Sequence, residues 1–235
     1  MSNLEFTDLK LKPEFLDKFY IRKSILEALS SSLHLFSGKL LDTGCGSMPY
    51  KQYILLNSAV NSYTGLDIES ALEYDVLVKP DVTWNGISMP FEDNSFETVI
   101  ATEVLEHCPD PELVMGEMNR VLKKGGIFFF TVPFIWNLHE TPYDEYRYTP
   151  FSLERHLKSA GFENIKIKAT GGWHASLAQM LGLWVRRSPI TKTKRRLLSV
   201  MLKPIIGYLI KKDNKNKVSF VEGQMITGLY GTAQK

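Results

Sequence analysis

The chain has 235 residues, of which 44% are hydrophobic and 23% charged, and its formal net charge is +2. These values are ordinary for a globular protein, and the near-neutral charge argues against a chain that binds nucleic acid over its whole surface. The two cysteines, Cys45 and Cys108, form no C-x-x-C pattern. They therefore argue against a disulfide framework, and with no secretory leader pattern we expect a cytoplasmic protein.

Apolar segments and amphipathic segments alternate along the first part of the chain. Apolar residues recur at helical spacing over residues 14–35, and KLLDTGCG then predicts a buried strand that enters a glycine turn. QYILLN predicts a helix, and YTGLDIE predicts a second strand that ends in an acid. FETVIATEVLEH holds a third apolar run over residues 98–101.

The second part of the chain continues the alternation. DPELVMGEMNRVLKKGG predicts a helix that Asp110 caps and that Gly125 and Gly126 end. IFFFTVPF predicts a strand buried on both faces, and TPFSLERHLKSAGF predicts a helix capped by Thr149. NIKIKAT and MITGLYGTAQ alternate like strands near a sheet edge, so the whole pattern predicts an α/β fold with a largely parallel sheet.

Residues 171–224 interrupt this pattern and are too many for a structureless loop. We expect a single domain over residues 1–235, with a helical insertion formed by HASLAQMLGLWVRR and RRLLSVMLKPIIGYLIKK. Residues 186–217 combine apolar residues with many basic ones and a single acid, Asp213. The basic residues are Arg186, Arg187, Lys192, Lys194, Arg195, Arg196, Lys203, Lys211, Lys212, Lys215 and Lys217.

The basic insertion has three interpretations. Its longest apolar run is too short and too interrupted to span a bilayer, which takes about 18–20 residues. A helix lying on an anionic membrane surface is one interpretation, and a helical cap packed over the sheet or in a homodimer interface is another. Nucleic-acid binding is the weakest, because the chain shows no recognisable RNA module.

The glycine turn LLDTGCGS points to a ligand site at the end of the first strand. A dinucleotide site would have G-x-G-x-x-G, but Pro49 follows Ser47 and Met48 here, so the third glycine is missing. The alternative pattern, D-x-G-x-G, includes Asp42. Asp67, at the end of the second strand, is placed to accept the two hydroxyls of a ribose, or else to cap a helix.

At this point the sequence resembles the class I S-adenosylmethionine-dependent methyltransferases. The resemblance covers residues 40–162 and rests on LLDTGCGS, YTGLDIE, MPFEDNSFETVIATEVLEH and EMNRVLKKGGIFFFTVP in that order. It implies a Rossmann-like, seven-stranded, mostly parallel sheet with helices on both faces and an antiparallel last strand. It also implies S-adenosyl-L-methionine as cofactor and an enzymatic transferase function. No acidic metal-binding constellation stands out in the sequence, so we expect a metal-independent reaction.

The resemblance assigns cofactor contacts by position. The turn from Asp42 to Gly46 would hold the methionine part, Asp67 the ribose, and Ile68 the adenine. Asn85 stands where an acid that meets the adenine amine is expected. The predicted cofactor-binding residues are Asp42, Gly44, Cys45, Gly46, Asp67, Ile68, Asn85, Gly86, Thr102 and Glu103.

The stretch LHETPYDEYRYTP, residues 138–150, follows the apolar strand and should lie on the acceptor side. His139 is the candidate general base, with Glu140 or Asp144 orienting it. Tyr143, Tyr146 and Arg147 could contact a polyhydroxylated or anionic acceptor; alternatively, Asp144 and Arg147 only order the loop. His107 is a candidate catalytic residue or a structural one that ties down the loop after the fourth strand.

We therefore predict O-methylation of a sugar, glycolipid or other small-molecule hydroxyl. A wider similarity, over residues 132–162, is to methyltransferases of bacterial polysaccharide and glycolipid synthesis. The alternatives are C- or N-methylation of a lipid, quinone or natural product, and a non-catalytic protein that binds the cofactor. The basic insertion adds the prediction of a peripheral contact with the inner face of the membrane.

Overall fold

Seven strands form one mixed sheet in the computed structural model, which describes residues 4–69, 78–213 and 218–235. The order across the sheet is β3-β2-β1-β4-β5-β7-β6, and only β7 runs antiparallel to its neighbours. This confirms the predicted Rossmann-like sheet with its antiparallel last strand. The strands are β1 (Ser37–Thr43), β2 (Ala59–Ile68), β3 (Val82–Trp84), β4 (Phe96–Thr102), β5 (Leu122–Pro133), β6 (Glu163–Ala169) and β7 (Gly228–Gln234).

Helices cover both faces of the sheet, as successive residues of the central strands show. Phe128 and Phe130 of β5 pack in one buried cluster with α4 and α5, whereas Phe129 between them packs with α2 and α3 in a second. Each central strand is therefore buried on both sides, which explains its unbroken apolar sequence. The helices are α1 (Leu4–Thr7), α2 (Phe19–Ser32), α3 (Lys51–Asn57), α4 (Pro111–Val121), α5 (Pro150–Ser159), α6 (Trp173–Arg187) and α7 (Lys192–Lys212).

Two predicted helix boundaries are wrong. The helix after Asp110 ends at Val121 rather than at the glycine pair, because Leu122 already pairs with Phe96 and begins β5. The first long helix, α2, is shorter than predicted, because short 3₁₀ helices flank it at Pro13–Phe15 and Leu33–Leu35. The caps of α4 and α5 are confirmed, with Asp110 and Thr149 each accepting a backbone N–H.

The predicted insertion does contain two helices, α6 and α7. They pack on each other and on the 3₁₀ helix Pro13–Phe15, around a small apolar cluster that includes Leu16, Val185 and Ile206. Lys215 and Lys217 of the predicted basic segment lie outside the described residues. Among the helices that the structure describes, none is long and apolar enough to cross a membrane.

Candidate active site

The glycine turn lies at the carboxyl end of β1, where the strand order reverses between β1 and β4. Gly44 and Gly46 have φ of +65° and +48°, a conformation that favours glycine. A side chain at Gly44 would also overlap Val104 from the loop after β4, since a Cβ there would lie 2.5 Å from Val104 Cγ2. The two loops thus meet closely, and backbone rather than side chain lines the turn.

Asp67 holds the glycine turn from the end of β2. Its Oδ2 accepts the backbone N–H of Gly46 at 2.9 Å, and its Oδ1 accepts that of Ile68 at 2.9 Å. Burial raises the pKa of its carboxyl, while these hydrogen bonds oppose the shift. Each oxygen keeps a lone pair, so the carboxylate can still accept two hydroxyl donors of a ribose.

Asp42 lies beneath the turn, almost fully buried. Its Oδ2 accepts a short hydrogen bond from the hydroxyl of Tyr63 on β2, whereas Oδ1 is buried with no hydrogen-bond partner among the described residues. Burial raises the pKa of this carboxyl to about 7. An unpaired buried acceptor beside the turn fits a ligand that brings a donor, such as the ammonium of a methionine moiety.

Of the residues predicted to bind adenine, Ile68 offers an exposed apolar surface, whereas the side chain of Asn85 is already hydrogen-bonded. Ile68 is 41% exposed at the end of β2, and Gly86 lies against it. The side-chain oxygen of Asn85, however, already accepts the backbone N–H groups of Ile87 and Ser88, at 2.9 and 3.1 Å. Both of its lone pairs are therefore in use, and the predicted acceptance from the adenine amine would have to displace one of them.

The side chain and backbone of Cys45 are engaged within the glycine turn. Its thiol is buried, its N–H donates to Leu66 O at 3.1 Å, and its carbonyl accepts from Met48 N at 2.7 Å. Burial also raises the pKa of the thiol, which keeps it protonated. These contacts show that Cys45 shapes the turn, and its contact with the cofactor stays a prediction.

Thr102 and Glu103 stand at the carboxyl end of β4, as predicted for the methionine end of the cofactor. Glu103 has φ of +56°, and its N–H donates to Thr131 O at 3.1 Å. Its Oε1 accepts the hydroxyl of Thr131 on β5 at 2.8 Å. Burial raises the pKa of Glu103 to about 7, so its charge is sensitive to what binds beside it.

The β5–α5 loop, residues 134–149, carries the predicted acceptor-side residues. Arg147 forms a two-pronged ion pair with Asp144, with Nη1–Oδ1 at 2.6 Å and Nη2–Oδ2 at 2.8 Å. Nδ1 of His139 lies 3.2 Å from Oδ2 of Asp144, near enough for an ion pair although the angle is poor for a hydrogen bond. The predicted ordering pair therefore exists, and it also places His139 against a carboxylate.

The tyrosines of this loop differ in their surroundings. Tyr143 is 62% exposed, so its hydroxyl is accessible to an acceptor. Tyr146 stacks on Tyr148 with ring centroids 5.3 Å apart, and its hydroxyl donates to Pro109 O at 3.3 Å. Tyr143 thus suits contact with a ligand better than Tyr146 does.

The loop after β4 joins the β5–α5 loop through Glu106 and His107. The carbonyl of Glu106 accepts the N–H groups of Glu145 and Tyr146, at 2.9 and 3.1 Å. Nδ1 of His107 lies 2.9 Å from Tyr143 O, which gives His107 the predicted tying role. The rings of His107 and His139 are 4.7 Å apart, so both predicted histidines reach the same place.

The buried carboxyl of Glu106 is the residue that sequence reasoning missed here. Its side chain is fully buried, and neither oxygen has a hydrogen-bond partner in the described part of the chain. Burial and the nearby Glu103 raise its pKa well above the ordinary value. Its position directly before His107 was the available signal, but spacing alone does not show that the side chain turns inward.

Comparisons with known proteins agree with this geometry. A family model described as a methyltransferase domain matches residues 41–130. The chain is 31% identical over 175 residues to the demethylmenaquinone methyltransferase of Staphylococcus haemolyticus, an alignment that covers 57% of this chain and 72% of the relative.

Solved structures share the fold at low sequence identity. A SAM-dependent methyltransferase from Archaeoglobus fulgidus has a TM-score of 0.56 and 16% identity, over 92% of this chain and 94% of that one. Phosphoethanolamine N-methyltransferase 2 of Haemonchus contortus, solved in complex with S-adenosyl-L-methionine, has a TM-score of 0.55 and 15% identity, over 99% of this chain and 59% of that one.

The sheet order and the glycine turn at the end of β1 are typical of an α/β protein that binds a nucleotide-like ligand. The chain belongs to the class I S-adenosylmethionine-dependent methyltransferases, and its cofactor is S-adenosylmethionine. The residues present fit this cofactor, since they offer a side-chain-free turn, two carboxylate acceptors for a ribose and an unpaired buried acceptor at Asp42.

Proposed function

We propose that this enzyme methylates a hydroxyl oxygen of a sugar, a glycolipid or another small molecule, with His139 as the general base. The observation that carries the proposal is an imidazole at the carboxyl edge of the sheet whose Nδ1 faces the buried carboxylate of Asp144. When bound, the cofactor supplies a methyl group on a sulfonium, which an oxygen nucleophile takes by in-line displacement as the carbon–sulfur bond breaks.

The surroundings of His139 suit the uptake of the hydroxyl proton. Burial lowers the pKa of the imidazole, so the ring is neutral near pH 7 and can accept a proton. Although burial works against it, hydrogen bonds from Arg147 and from the backbone of His139 lower the pKa of Asp144 to about 2. Asp144 therefore stays ionised, orients the ring through Nδ1 and stabilises the imidazolium, while Nε2 takes the proton.

Exposed polar groups of the β5–α5 loop favour a hydroxyl-rich acceptor. Tyr143 offers a hydroxyl at the surface, and Arg147 places a guanidinium beside Asp144 that remains partly accessible. A neutral imidazole next to these groups also favours an oxygen nucleophile, which must lose a proton, over a nucleophile that is already deprotonated. The similarity to methyltransferases of polysaccharide and glycolipid synthesis points the same way.

Other acceptors remain as alternatives. The S. haemolyticus relative is named for demethylmenaquinone, and the H. contortus enzyme for N-methylation of phosphoethanolamine. C- or N-methylation of a lipid, quinone or natural product is therefore the second candidate activity. The third alternative is a protein that binds the cofactor without catalysis, and the doubtful adenine contact of Asn85 is the observation in its favour.

A methyl-transfer screen separates these activities. The protein would be incubated with methyl-labelled cofactor and three acceptor sets: nucleotide sugars with lipid-linked glycans and phenols, amines, and quinones. We expect label in the hydroxyl set, with turnover falling by about 10²–10⁴-fold in His139→Gln. His156→Gln is the matched control, because His156 also faces a carboxylate, Glu112 at 3.1 Å, but on the outer helices.

The screen has clear contrary outcomes. Label confined to amines or quinones would replace the proposed acceptor class. Full turnover by His139→Gln would remove the proposed base. Cofactor binding by calorimetry without label in any set would favour the non-catalytic alternative.

We also propose that α7 contacts an anionic membrane surface. One side of the helix packs inward through residues such as Ile206, whereas apolar residues on the opposite side are exposed at spacings of three and four. Basic residues stand at both ends of this apolar stripe, as expected for a helix lying in the interface. The exposed apolar residues of the stripe are Leu197, Val200, Met201, Ile205 and Tyr208.

Liposome sedimentation tests the membrane contact. We expect binding to vesicles that contain anionic lipid, loss of binding at high salt, and weaker binding by the double variant Val200→Ser with Met201→Ser. A dimer that sedimentation velocity detects, with no vesicle binding at low salt, would instead assign the stripe to a homodimer interface.

A further inference from the structure

Glu106, His107 and His139, here called the Glu–His–His cluster, bring three donor atoms of metal-binding type together. One donor atom from each side chain lies within 4.8 Å of the other two. Two donors of a tetrahedral cation with bonds of about 2.1 Å lie about 3.4 Å apart, so the three side chains would have to move closer by about an ångström to bind one ion. Glu140 adds a carboxylate oxygen 3.7 Å from Nε2 of His107.

The carboxyl of Glu106 is the observation that points to a ligand. It is fully buried, and within the described part of the chain neither oxygen accepts or donates a hydrogen bond. The nearest cation-forming group is His107, whose Nε2 lies 3.9 Å from Oε1. A buried carboxyl without partners is costly, and a bound cation is one of the few groups that offsets the cost.

One imidazole has its other nitrogen hydrogen-bonded, as metal-binding histidines usually do, and the other has it beside a carboxylate. Nδ1 of His107 faces the carbonyl of Tyr143 at 2.9 Å, so it carries the proton and leaves a lone pair on Nε2. Nδ1 of His139 faces Oδ2 of Asp144 at 3.2 Å, which favours the same tautomer. Nε2 of His107 therefore has a lone pair available 3.9 Å from Oε1 of Glu106, and His139 brings a ring nitrogen to the same place.

We infer that the Glu–His–His cluster binds a divalent first-row transition cation through Glu106, His107 and His139. One carboxylate oxygen and two imidazole nitrogens suit such ions, and three protein ligands leave coordination positions open. Both histidines are partly exposed, so a cation can enter from solvent. The inference departs from the expectation of a metal-free protein, because the three side chains meet only in the folded chain.

In the proposed reaction the cation would affect one step, the loss of the proton from the acceptor hydroxyl. A role in that step rests on the proposed function. An open position would let the cation bind the hydroxyl oxygen of the acceptor and lower its pKa, and the released proton would pass to water. His139 would then act as the base only in the cation-free enzyme, and as a ligand when the cation is bound. Cation binding itself does not depend on the acceptor and can be measured without it.

Mn²⁺ is a suitable probe, because its electron paramagnetic resonance signal reports free and bound ion directly. The whole protein, stripped with a chelator, would be titrated with Mn²⁺ and, in competition, with Zn²⁺. We expect one saturable site per chain. Glu106→Gln and His107→Gln should each weaken Mn²⁺ binding by at least about tenfold. Loss of a residue that only hydrogen-bonds a ligand already costs about that much, and loss of a ligand itself should cost no less.

Three controls make the outcome decisive. His156→Gln should leave the Mn²⁺ affinity unchanged, because its histidine–carboxylate pair lies outside the cluster. Circular dichroism and calorimetric cofactor binding show whether the cluster variants are folded. Absence of a saturable site up to millimolar Mn²⁺ and Zn²⁺, or unchanged affinity in the folded cluster variants, would overturn the inference.

The same measurements keep the two proposals apart. Hydroxyl methylation that continues in excess chelator, with no Mn²⁺ site, overturns the cation site and leaves the proposed function standing. A Mn²⁺ site that depends on the cluster, with no hydroxyl acceptor in the screen, does the reverse.

Discussion

The two sides of the active site are held together by different kinds of contact. On the cofactor side, Asp67 fixes the glycine turn through backbone N–H groups at the ends of neighbouring strands. On the predicted acceptor side, Arg147 and Asp144 form an ion pair within one loop, and the ring of His139 lies beside it. The first arrangement depends on the sheet, whereas the second depends on a few side chains that a single substitution can disrupt.

This difference predicts separable effects of mutation. Changes on the predicted cofactor side should alter cofactor affinity, because the backbone of the glycine turn and the carboxylate of Asp67 are the predicted ligand contacts. Changes in the β5–α5 loop should alter turnover and leave cofactor affinity nearly intact. Substitutions at the end of the loop, where the side chains cap the start of α5, should alter stability alone.

Among the variants that test this comparison, Asp67→Ala is expected to have the largest effect. Hydrogen bonds to a charged group contribute about 1.5–3 kcal/mol each, so loss of two ribose contacts should weaken cofactor binding by at least about 100-fold. Isothermal titration calorimetry measures this directly. Asp81→Asn is the control. Asp81 also accepts a backbone N–H from β2, that of Gly65 at 2.8 Å, but it lies directly before β3 and not at the glycine turn. Unchanged affinity in Asp67→Ala would remove the assigned ribose site.

The location of the predicted cofactor-binding residues could be read from sequence, for a physical reason. Gly44, Gly46 and Asp67 occupy strand ends, and strand order fixes where the ends of parallel strands meet. Sequence did not show where local contacts compete with the predicted ligand contacts. Asn85 closes its own turn with its side chain, and Cys45 turns into the core. Neither outcome can be read from the position of the residue in a motif.

The acceptor side was predictable only as a location. The polar composition of residues 138–150 and their place after a buried strand indicated the loop, and the Asp144–Arg147 pair followed from their spacing. The inward direction of Glu106 and its approach to His107 and His139 depend on two loops packing together. Sequence separation hides such a cluster, since its members come from the ends of β4 and β5.

An intermediate effect is expected for Arg147→Lys, which keeps the charge but loses the planar fork. The carboxylate of Asp144, whose side chain is only 2% exposed, would lose one of two hydrogen bonds from Arg147. Turnover should fall by about tenfold or more if the ring of His139 loses its orientation, with an unfolding free energy lower by about 1–3 kcal/mol. Steady-state kinetics and urea denaturation measure the two quantities.

The matched control for this variant is Arg120→Lys. Arg120 also forms a two-pronged pair, with Glu117 at 2.7 and 2.8 Å, but on α4. It should lose stability without a specific loss of turnover. Equal losses of turnover in both variants would mean that the Asp144–Arg147 pair serves only stability.

The smallest effect is expected for Thr149→Ala at the start of α5. Thr149 and Ser152 form a reciprocal capping box, with each side chain bonded to the backbone of the other. Removing such a cap typically costs about 1 kcal/mol, so the urea midpoint should fall slightly while turnover and cofactor affinity stay within about twofold. Ser152→Ala removes the other half of the box and should behave alike. A tenfold loss of turnover in either variant would mean that the start of α5 positions the β5–α5 loop for catalysis. Thr149 would then belong to the part of the loop that affects turnover, and not only to the part that affects stability.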